Sequence, residues 1–371
     1  MQARPRFLVP PRDPAVSEHF RQRVRAAMGA PHVPHIPVCN PVSLDRANMS
    51  LLQSHEYMVA FKADGVRQLL VLTCFRGDRM AGMVDRAGNV LLTIVRATAD
   101  LYERGCVFDG ELCQCTVDAA AYDYLVFDAV EVCGRAVRSD PYSVRLGHVR
   151  NAFMAEPMPV AERLRLPQRF IVPLGELCNF LVKETEPAHN LRGMAMRAQP
   201  RYRCDGFIFT PVTAALAPGR DKRVLKWKEK NPIDVRLVVP GCDMTRARLF
   251  VDNRGEDIEL CTALEAHFQT VELQIDSRQF RSLLSGALTY NEIFHGGRPD
   301  VFSCVIEVDC TIADASTLLL RFMRMRRDKD GANEIDTVLG TLGTIRDNIC
   351  FDELLGLFAN MPVARSAHRY R

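Results

Sequence analysis

No apolar run in this chain is long enough to span a membrane, and the opening Met-Gln-Ala-Arg-Pro-Arg carries no signal-peptide apolar core. Both absences lead us to expect an intracellular protein. Net charge is nearly missing as well. Lys and Arg number 48 and Asp and Glu 45, which leaves +3 over 371 residues; that excess is too small to argue for nucleic acid by itself. The 13 cysteines make no disulfide-like framework. Cys113 and Cys115 form a lone Cys-x-Cys with Cys106 nearby, and a second ligand pair at zinc spacing is lacking. Reduced, mostly buried thiols are the better reading. Internal repeats and low-complexity tracts are also absent.

What is present is an ordinary globular composition, 47% apolar and 25% charged. The length suits one very large domain or two ordinary ones. Residues 1–40 read as a basic, Pro-rich arm, with a short helix around Val16–Met28 and an extended Pro31–Pro37. His32 and His35 on that arm read as surface or packing histidines. From residue 41 to 231 the pattern is α+β. Apolar runs at Met58–Phe61, Gln68–Cys74, Ala81–Val84, Val90–Ile94, Cys106–Phe108, Asp123–Phe127 and Gly206–Phe209 predict strands. Helices are expected at Asp45–Gln53, Arg96–Glu103, Val144–Glu156 and Leu174–Lys183. Turn signals at Gly77-Asp78 and Gly88-Asn89 make the sheets antiparallel. Residues 232–371 read as a second domain. Five strands, Asp234–Val239, Ala247–Asp252, Asp257–Leu260, Val301–Asp309 and Leu318–Met325, fit a small β-barrel such as an OB-fold, closed by a helix at Asp352–Ala359.

The chemistry concentrates in short segments. Lys62-Ala63-Asp64-Gly65-Val66-Arg67 lies between two apolar runs. A lysine there sits at the mouth of a buried sheet, whose walls lower the cost of a neutral, nucleophilic amine. Arg67 can grip a phosphate or ribose beside it. The plain alternative is a surface hairpin with an Asp-Gly turn. Phe108-Asp109-Gly110-Glu111-Leu112 sets two carboxylates around a glycine, and Tyr124–Asp128 is an apolar strand closed by an acid. Asp205-Gly206 leads into another strand. Val224-Leu225-Lys226-Trp227-Lys228 puts two lysines on one strand face. Further on, Arg321, Arg324, Arg326, Arg327 and Lys329 crowd together as a phosphate site or a solvated face. A nucleophile, acids for a metal and paired cations suit attack on a nucleotide phosphate.

In this order and spacing the segments resemble the covalent nucleotidyltransferase superfamily, which comprises the mRNA capping guanylyltransferases and the ATP-dependent polynucleotide ligases. The lead-in Asn40–Arg46, the Leu225-Lys226-Trp227-Lys228 segment, and Arg326-Arg327-Asp328-Lys329 followed by Asn333 are similar to the capping branch. The likeness covers about residues 40–351. One departure is Glu229, which stands where the capping pattern has a proline; Pro232 comes three residues later.

That resemblance implies a nucleotidyltransferase domain followed by an OB-fold domain, and a set of roles. Lys62 would carry GMP as a lysyl phosphoramidate. Arg67 would hold the ribose and phosphate side of the nucleotide, and Arg86 would contact phosphate. Glu111 and Asp205 would hold the ribose and a Mg²⁺ or Mn²⁺ ion. Phe127 would stack on guanine, and Lys183 would donate to its oxygen. Lys226 and Lys228 would clamp the α-phosphate. Arg326, Asp328 and Lys329 would orient the departing pyrophosphate. The substrates implied are GTP and the 5′-diphosphate end of RNA. The competing readings are an ATP-dependent DNA or RNA ligase and a non-catalytic nucleotide- or RNA-binding scaffold. The chain has no His-Cys-x5-Arg phosphatase loop and no glycine-rich methyl-donor turn in its tail. The RNA triphosphatase and cap methyltransferase are therefore expected as separate partners, with room for an RNA polymerase. The compartment stays open between nucleus and cytoplasm.

Overall fold

The structure, a computed structural model, describes residues 7–30, 36, 38–153, 159–161, 164–165, 171–174, 177, 201–241, 243–276, 278–283, 301–327 and 329–359. Two compact units emerge. The first takes Ala3–Glu229 and Cys350–Arg371; the second takes Lys230–Ile349. The architecture is mixed α+β and rich in sheet.

Two sheets make the first unit. The larger runs in the order Val90–Thr93, Asp78–Val84, Val66–Phe75, Cys106–Gln114, Tyr122–Val132, Leu164–Arg165, Pro159–Ala161. Gly77 and Gly88, at φ +89° and +83°, turn its first two hairpins as their Gly-Asp and Gly-Asn signals require. The smaller sheet runs Cys39–Ser43, Gly219–Lys228, Cys204–Pro211, Tyr57–Ala63, Ile171–Pro173. Asp64-Gly65 is therefore no hairpin turn. Tyr57–Ala63 and Val66–Phe75 belong to different sheets, and the dipeptide carries the chain from one to the other. Gly65 is needed there for room, since a Cβ would stand 2.6 Å from the Leu112 carbonyl oxygen.

The described part of the amino-terminal segment packs into the first unit. A helix over Pro14–Ala27, capped by the Asp13 side chain, buries Phe20 and Val24. Together with Val71, Val84, Val107 and Val130 they form one apolar cluster against the larger sheet. Arg23 pairs with the buried Glu131 on the same sheet. The helix Tyr142–Phe153 packs on the strand Tyr122–Val132.

A further difference concerns the closing helix. Chain order assigns it to the carboxy-terminal domain, but Phe351–Ala359 returns to the first unit. Phe351 stacks on Phe207 at 6.3 Å and lies 5.9 Å from Trp227, while Phe358 meets Phe209 at 6.0 Å. Glu353 pairs with Arg46. The second unit has a six-stranded sheet ordered Glu256–Glu259, Arg248–Asn253, Ile233–Pro240, Val301–Ile312, Thr317–Met325, Thr270–Gln274. All five expected strands are there. The sixth, Thr270–Gln274, pairs in parallel with Thr317–Met325. The helix Ile335–Asp347 packs Val338 and Leu342 into the core of this unit; three threonines and two glycines blur its apolar period in the sequence.

Because Trp227 is the only tryptophan, its fluorescence reports whether the closing helix is docked. Phe351→Ala should destabilise the protein by about 3–5 kcal/mol and shift the emission to the red. Unchanged emission would show that this contact is not made in solution.

Candidate active site

Cross-strand register assembles the site. Lys62 lies opposite Gly206, and Gly206 lies opposite Lys228, so the three form one row across three strands. The next row on the same face is Ala60, Ile208 and Lys226. Alternation sends the intervening residues to the other face, where Phe61, Phe207 and Trp227 stack with centroids 5.6 and 5.8 Å apart. Gly206 has no space for a side chain, since a Cβ would stand 1.8 Å from the Trp227 carbonyl oxygen.

Asp205 reaches the lysines because of a bulge. Cys204 pairs with Ala63 and Gly206 with Lys62, leaving Asp205 as the extra residue. Its carboxylate accepts from Lys62 Nζ at 2.7 Å (Oδ1) and 3.0 Å (Oδ2). Lys228 Nζ is 3.0 Å from Oδ2. Lys226 is pulled below the ordinary lysine value, first by burial, then by the charges of Lys228, Lys62 and Arg220, with Asp205 opposing them. One carboxylate thus serves several cations, and the site has a standing appetite for anions.

Lys62 and Lys226 line a cavity of about 300 Å³ in the first unit, together with Arg67, Glu111 and Phe127, a size suited to a small molecule. Phe127 also arrives through a bulge. Asp109 pairs with Asp128 and Gly110 with Val126, so Phe127 is the unmatched residue. The Arg67 guanidinium lies 5.2 Å from the centre of its ring.

Arg67 is fixed from behind. Nε donates to Asp109 Oδ1 at 2.9 Å and Nη2 to Oδ2 at 2.5 Å, while Nη1 donates to the Cys39 carbonyl at 2.6 Å. Burial disfavours its charge, but the Asp109 carboxylate outweighs this and raises Arg67 above the ordinary value. Asp128 is held by Arg145 through Nε at 2.7 Å and Nη2 at 3.0 Å. Asp128 is raised by burial despite that partner. The Cys39 thiol lining the cavity is pushed up to about 11, chiefly by burial, and stays protonated at neutral pH.

Most of the expected residues therefore converge. Lys62, Arg67, Glu111, Phe127 and Lys226 line one cavity, and Asp205 and Lys228 join it through Lys62. Other expected residues do not. Arg86 is exposed in the turn after Asp78–Val84 and does not line the cavity. Arg326 and Lys329 belong to the second unit, where both pair with the buried Asp234 at 2.8 and 2.5 Å. Asn333 anchors the same strand, its side-chain oxygen accepting from the Asp234 amide at 2.7 Å. Lys183 and Asp328, like His32 and His35, lie outside the described residues. Asp109, which the sequence offers as one of the acids for a metal, is instead held by Arg67, and the sequence gives no role to Tyr142 or Arg145. The Arg145 signal was an arginine on a helix face that packs on a sheet.

Strand-borne lysines about one carboxylate, over a cavity with an aromatic shelf, define a site of the nucleotidyltransferase class. Residues 9–230 match the family model for the mRNA capping enzyme, catalytic domain, and the chain belongs to that family. An mRNA-capping enzyme subunit alpha from Neurospora crassa is 26% identical over 383 residues, covering 93% of this chain and 89% of that protein. The subunit alpha from Schizosaccharomyces pombe is 25% identical over 363 residues, covering 90% and 82%. An mRNA-capping enzyme from Danio rerio is 24% identical, covering 86% of this chain and 49% of its own length. A solved structure, mycobacterial DNA ligase D complexed with ATP and MES, aligns with a TM-score of 0.40 at 14% identity, covering 79% of this chain and 96% of that one, a likeness too low to argue from.

Asp205 holds the Lys226 value up against its cationic neighbours. Asp205→Asn should therefore lower Lys226 further and raise the fraction of neutral amine. Peptide mapping after mild acylation at neutral pH should show faster modification of Lys226. Equal modification in both proteins would contradict the coupling.

Proposed function

We propose that this chain is an mRNA guanylyltransferase, which transfers GMP from GTP to Lys62 and then to the 5′-diphosphate end of an RNA. The observation that carries this reading is the row Lys62–Gly206–Lys228 with the bulged Asp205, at the wall of a cavity that also holds Phe127 and Arg67.

In the first step the Lys62 Nζ lone pair attacks the α-phosphorus of GTP. The P–N bond forms, the bond from the α-phosphorus to the bridging oxygen breaks, and pyrophosphate leaves with that oxygen. The ammonium must first lose a proton, and the Asp205 carboxylate at 2.7 Å is within reach to take it. Entry of a triphosphate gives Lys228 and Lys226 new anionic partners, which loosens the Lys228 contact with Asp205 and supports charge in the transition state. Phe127 offers a stacking face for guanine, and Arg67, locked by Asp109, meets the ribose and phosphate side. In the second step a β-phosphate oxygen of the RNA end attacks the same phosphorus. The P–N bond breaks, Lys62 recovers its proton, and a 5′–5′ triphosphate is made.

A divalent ion fits two acids of the site. Asp109 and Asp128 are held by arginines. Asp205, whose lysine contacts can exchange, and Glu111, which lines the cavity, are the carboxylates we assign to a Mg²⁺ or Mn²⁺, one or two being the usual protein share when substrate phosphates complete the shell. Among the described residues no three potential ligands cluster. Bound at these two acids, the ion would neutralise phosphate charge.

The second unit is read as an OB-fold domain whose Arg326 and Lys329, once released from Asp234, orient pyrophosphate. The chain passes between the units twice, at Glu229–Lys230 and Ile349–Cys350, so a hinge near Asn231 would have a second connection. The RNA triphosphatase and cap methyltransferase are assigned to separate partners, and the setting is the nucleus if the protein is cellular, and the nucleus or cytoplasm if it is viral.

Incubation with labelled GTP and Mg²⁺ or Mn²⁺ should give a covalent adduct that is acid-labile and alkali-stable. Lys62→Ala should abolish it, and Lys228→Ala should cut its rate by about 10²-fold or more. Equal labelling of Lys62→Ala would sink the mechanism. Labelling by ATP instead of GTP would favour a ligase.

A further inference from the structure

The least exposed arginine near the cavity has no part in the mechanism above. Arg145 is 1% exposed and sits on the helix Tyr142–Phe153. Its guanidinium spans three pieces of chain. Nε and Nη2 grip Asp128, the residue after Phe127, at 2.7 and 3.0 Å. Nη1 donates to the carbonyls of Asp140 at 2.5 Å and Ala214 at 2.6 Å. Phe127, Tyr142, Ala214 and Leu216 all line the cavity.

The same walls are tied again nearby. Tyr142 Oη donates to the Phe127 carbonyl at 3.0 Å. Phe127 is the extra residue of a bulge, and the Tyr142 bond helps to fix it there. The Ser143 amide donates to the Val212 carbonyl at 3.1 Å, and the Leu216 amide to the Arg138 carbonyl at 2.7 Å. Arg145 lies at the centre of these links, a planar fork able to serve a carboxylate and carbonyls together.

We propose that Arg145 is a positioning residue that sets the separation between the Phe127 shelf and the Ala214–Leu216 wall, and so the width of the slot that takes the nucleotide base. It acts through Phe127 and Ala214. This inference rests on the nucleotide-binding reading of the cavity. A stacked base tolerates little error in spacing, and small misplacements of a binding wall are costly. Arg145 should therefore govern affinity for the base-bearing part of the ligand and leave the phosphate end alone.

Arg145→Lys keeps a positive charge beside buried Asp128 but cannot make the fork and both carbonyl bonds. The test compares GTP and tripolyphosphate, which has no base, by calorimetry without divalent ion, so that no chemistry occurs. Arg145→Lys should bind GTP about tenfold or more weakly, with tripolyphosphate unchanged within about twofold. In the labelling reaction KM for GTP should rise by the same factor, with the saturated rate within about twofold. Tyr142→Phe should shift GTP in the same direction by about two- to threefold. If Arg145→Lys does not fold, the neutral pair Asp128→Asn with Arg145→Gln takes its place under the same criteria.

The proposal is overturned if the folded variant binds GTP as tightly as the parent protein, or loses GTP and tripolyphosphate by equal factors. It is also overturned if KM is unchanged while the labelled fraction falls, which marks a merely structural role. A parent protein that binds GTP without labelling Lys62 contradicts the guanylyltransferase reading alone, because the binding comparison still stands. A parent that binds no GTP overturns both.

Discussion

The pairing of Tyr57–Ala63, Cys204–Pro211 and Gly219–Lys228 in one register is the constraint on which the site depends. It puts Phe61, Phe207 and Trp227 in a row on one face, and Lys62, Gly206 and Lys228 in a row on the other. A slip of one residue would exchange those faces. The aromatic row is buried and covered by Phe351, so the slip would expose three large rings and bury ammonium groups. The free energy that holds the lysines together is thus mostly the burial of rings that never meet the cavity. The closing helix belongs to this scheme although it follows the second unit in sequence, because it covers the back of the sheet that presents Lys62.

Regular strands alone would not complete the site. Alternation would point Asp205 away from Lys62 and keep Phe127 in a ladder. Each is instead the extra residue of a bulge, and a bulge is the means by which a sheet re-aims a single side chain. Bulges need outside support. At Phe127 the support comes from Tyr142 and, through Asp128, from Arg145; at Asp205 it comes from the lysines it binds. One of these props is structural and permanent, while the other is ionic and open to exchange with an incoming anion.

The contrast explains what could be read along the chain. Strand spacing and alternation were legible, so Lys226 and Lys228 were placed on one face from their i, i+2 separation, and Lys62 at a sheet's end from its apolar flanks. The strands of the second unit were legible for the same reason. The Asp64-Gly65 dipeptide leaves a hairpin open in the sequence, because a glycine required for close approach looks identical to a glycine required for a turn. The buried acids were legible as acids but not as occupied ones. Asp109 and Asp128 become structural only when Arg67 and Arg145 arrive from elsewhere in the chain, and sequence separation hides such pairs. The basic cluster is legible as charge but not in its pairing. Arg326 and Lys329 look like a free cationic patch until Asp234, more than ninety positions earlier, is seen to hold both.

The distribution of charge has a chemical consequence. Two carboxylates beside the cavity are matched to arginines with two-point hydrogen bonding, a geometry that does not release easily. Another, Asp205, is matched to lysines, each of which reaches it through one ammonium nitrogen, a contact that rearranges at small cost. Breaking a buried arginine pair would strand a charge in the interior. Moving a half-exposed lysine from Asp205 to a phosphate exchanges one partner for another. Arginines therefore hold the walls in place, while lysines at the reacting edge remain free to exchange an internal carboxylate for a substrate anion. A site that must bind a polyphosphate, bond to it covalently and then release it needs rigid walls and an exchangeable counter-ion, and these two kinds of ion pair supply one each.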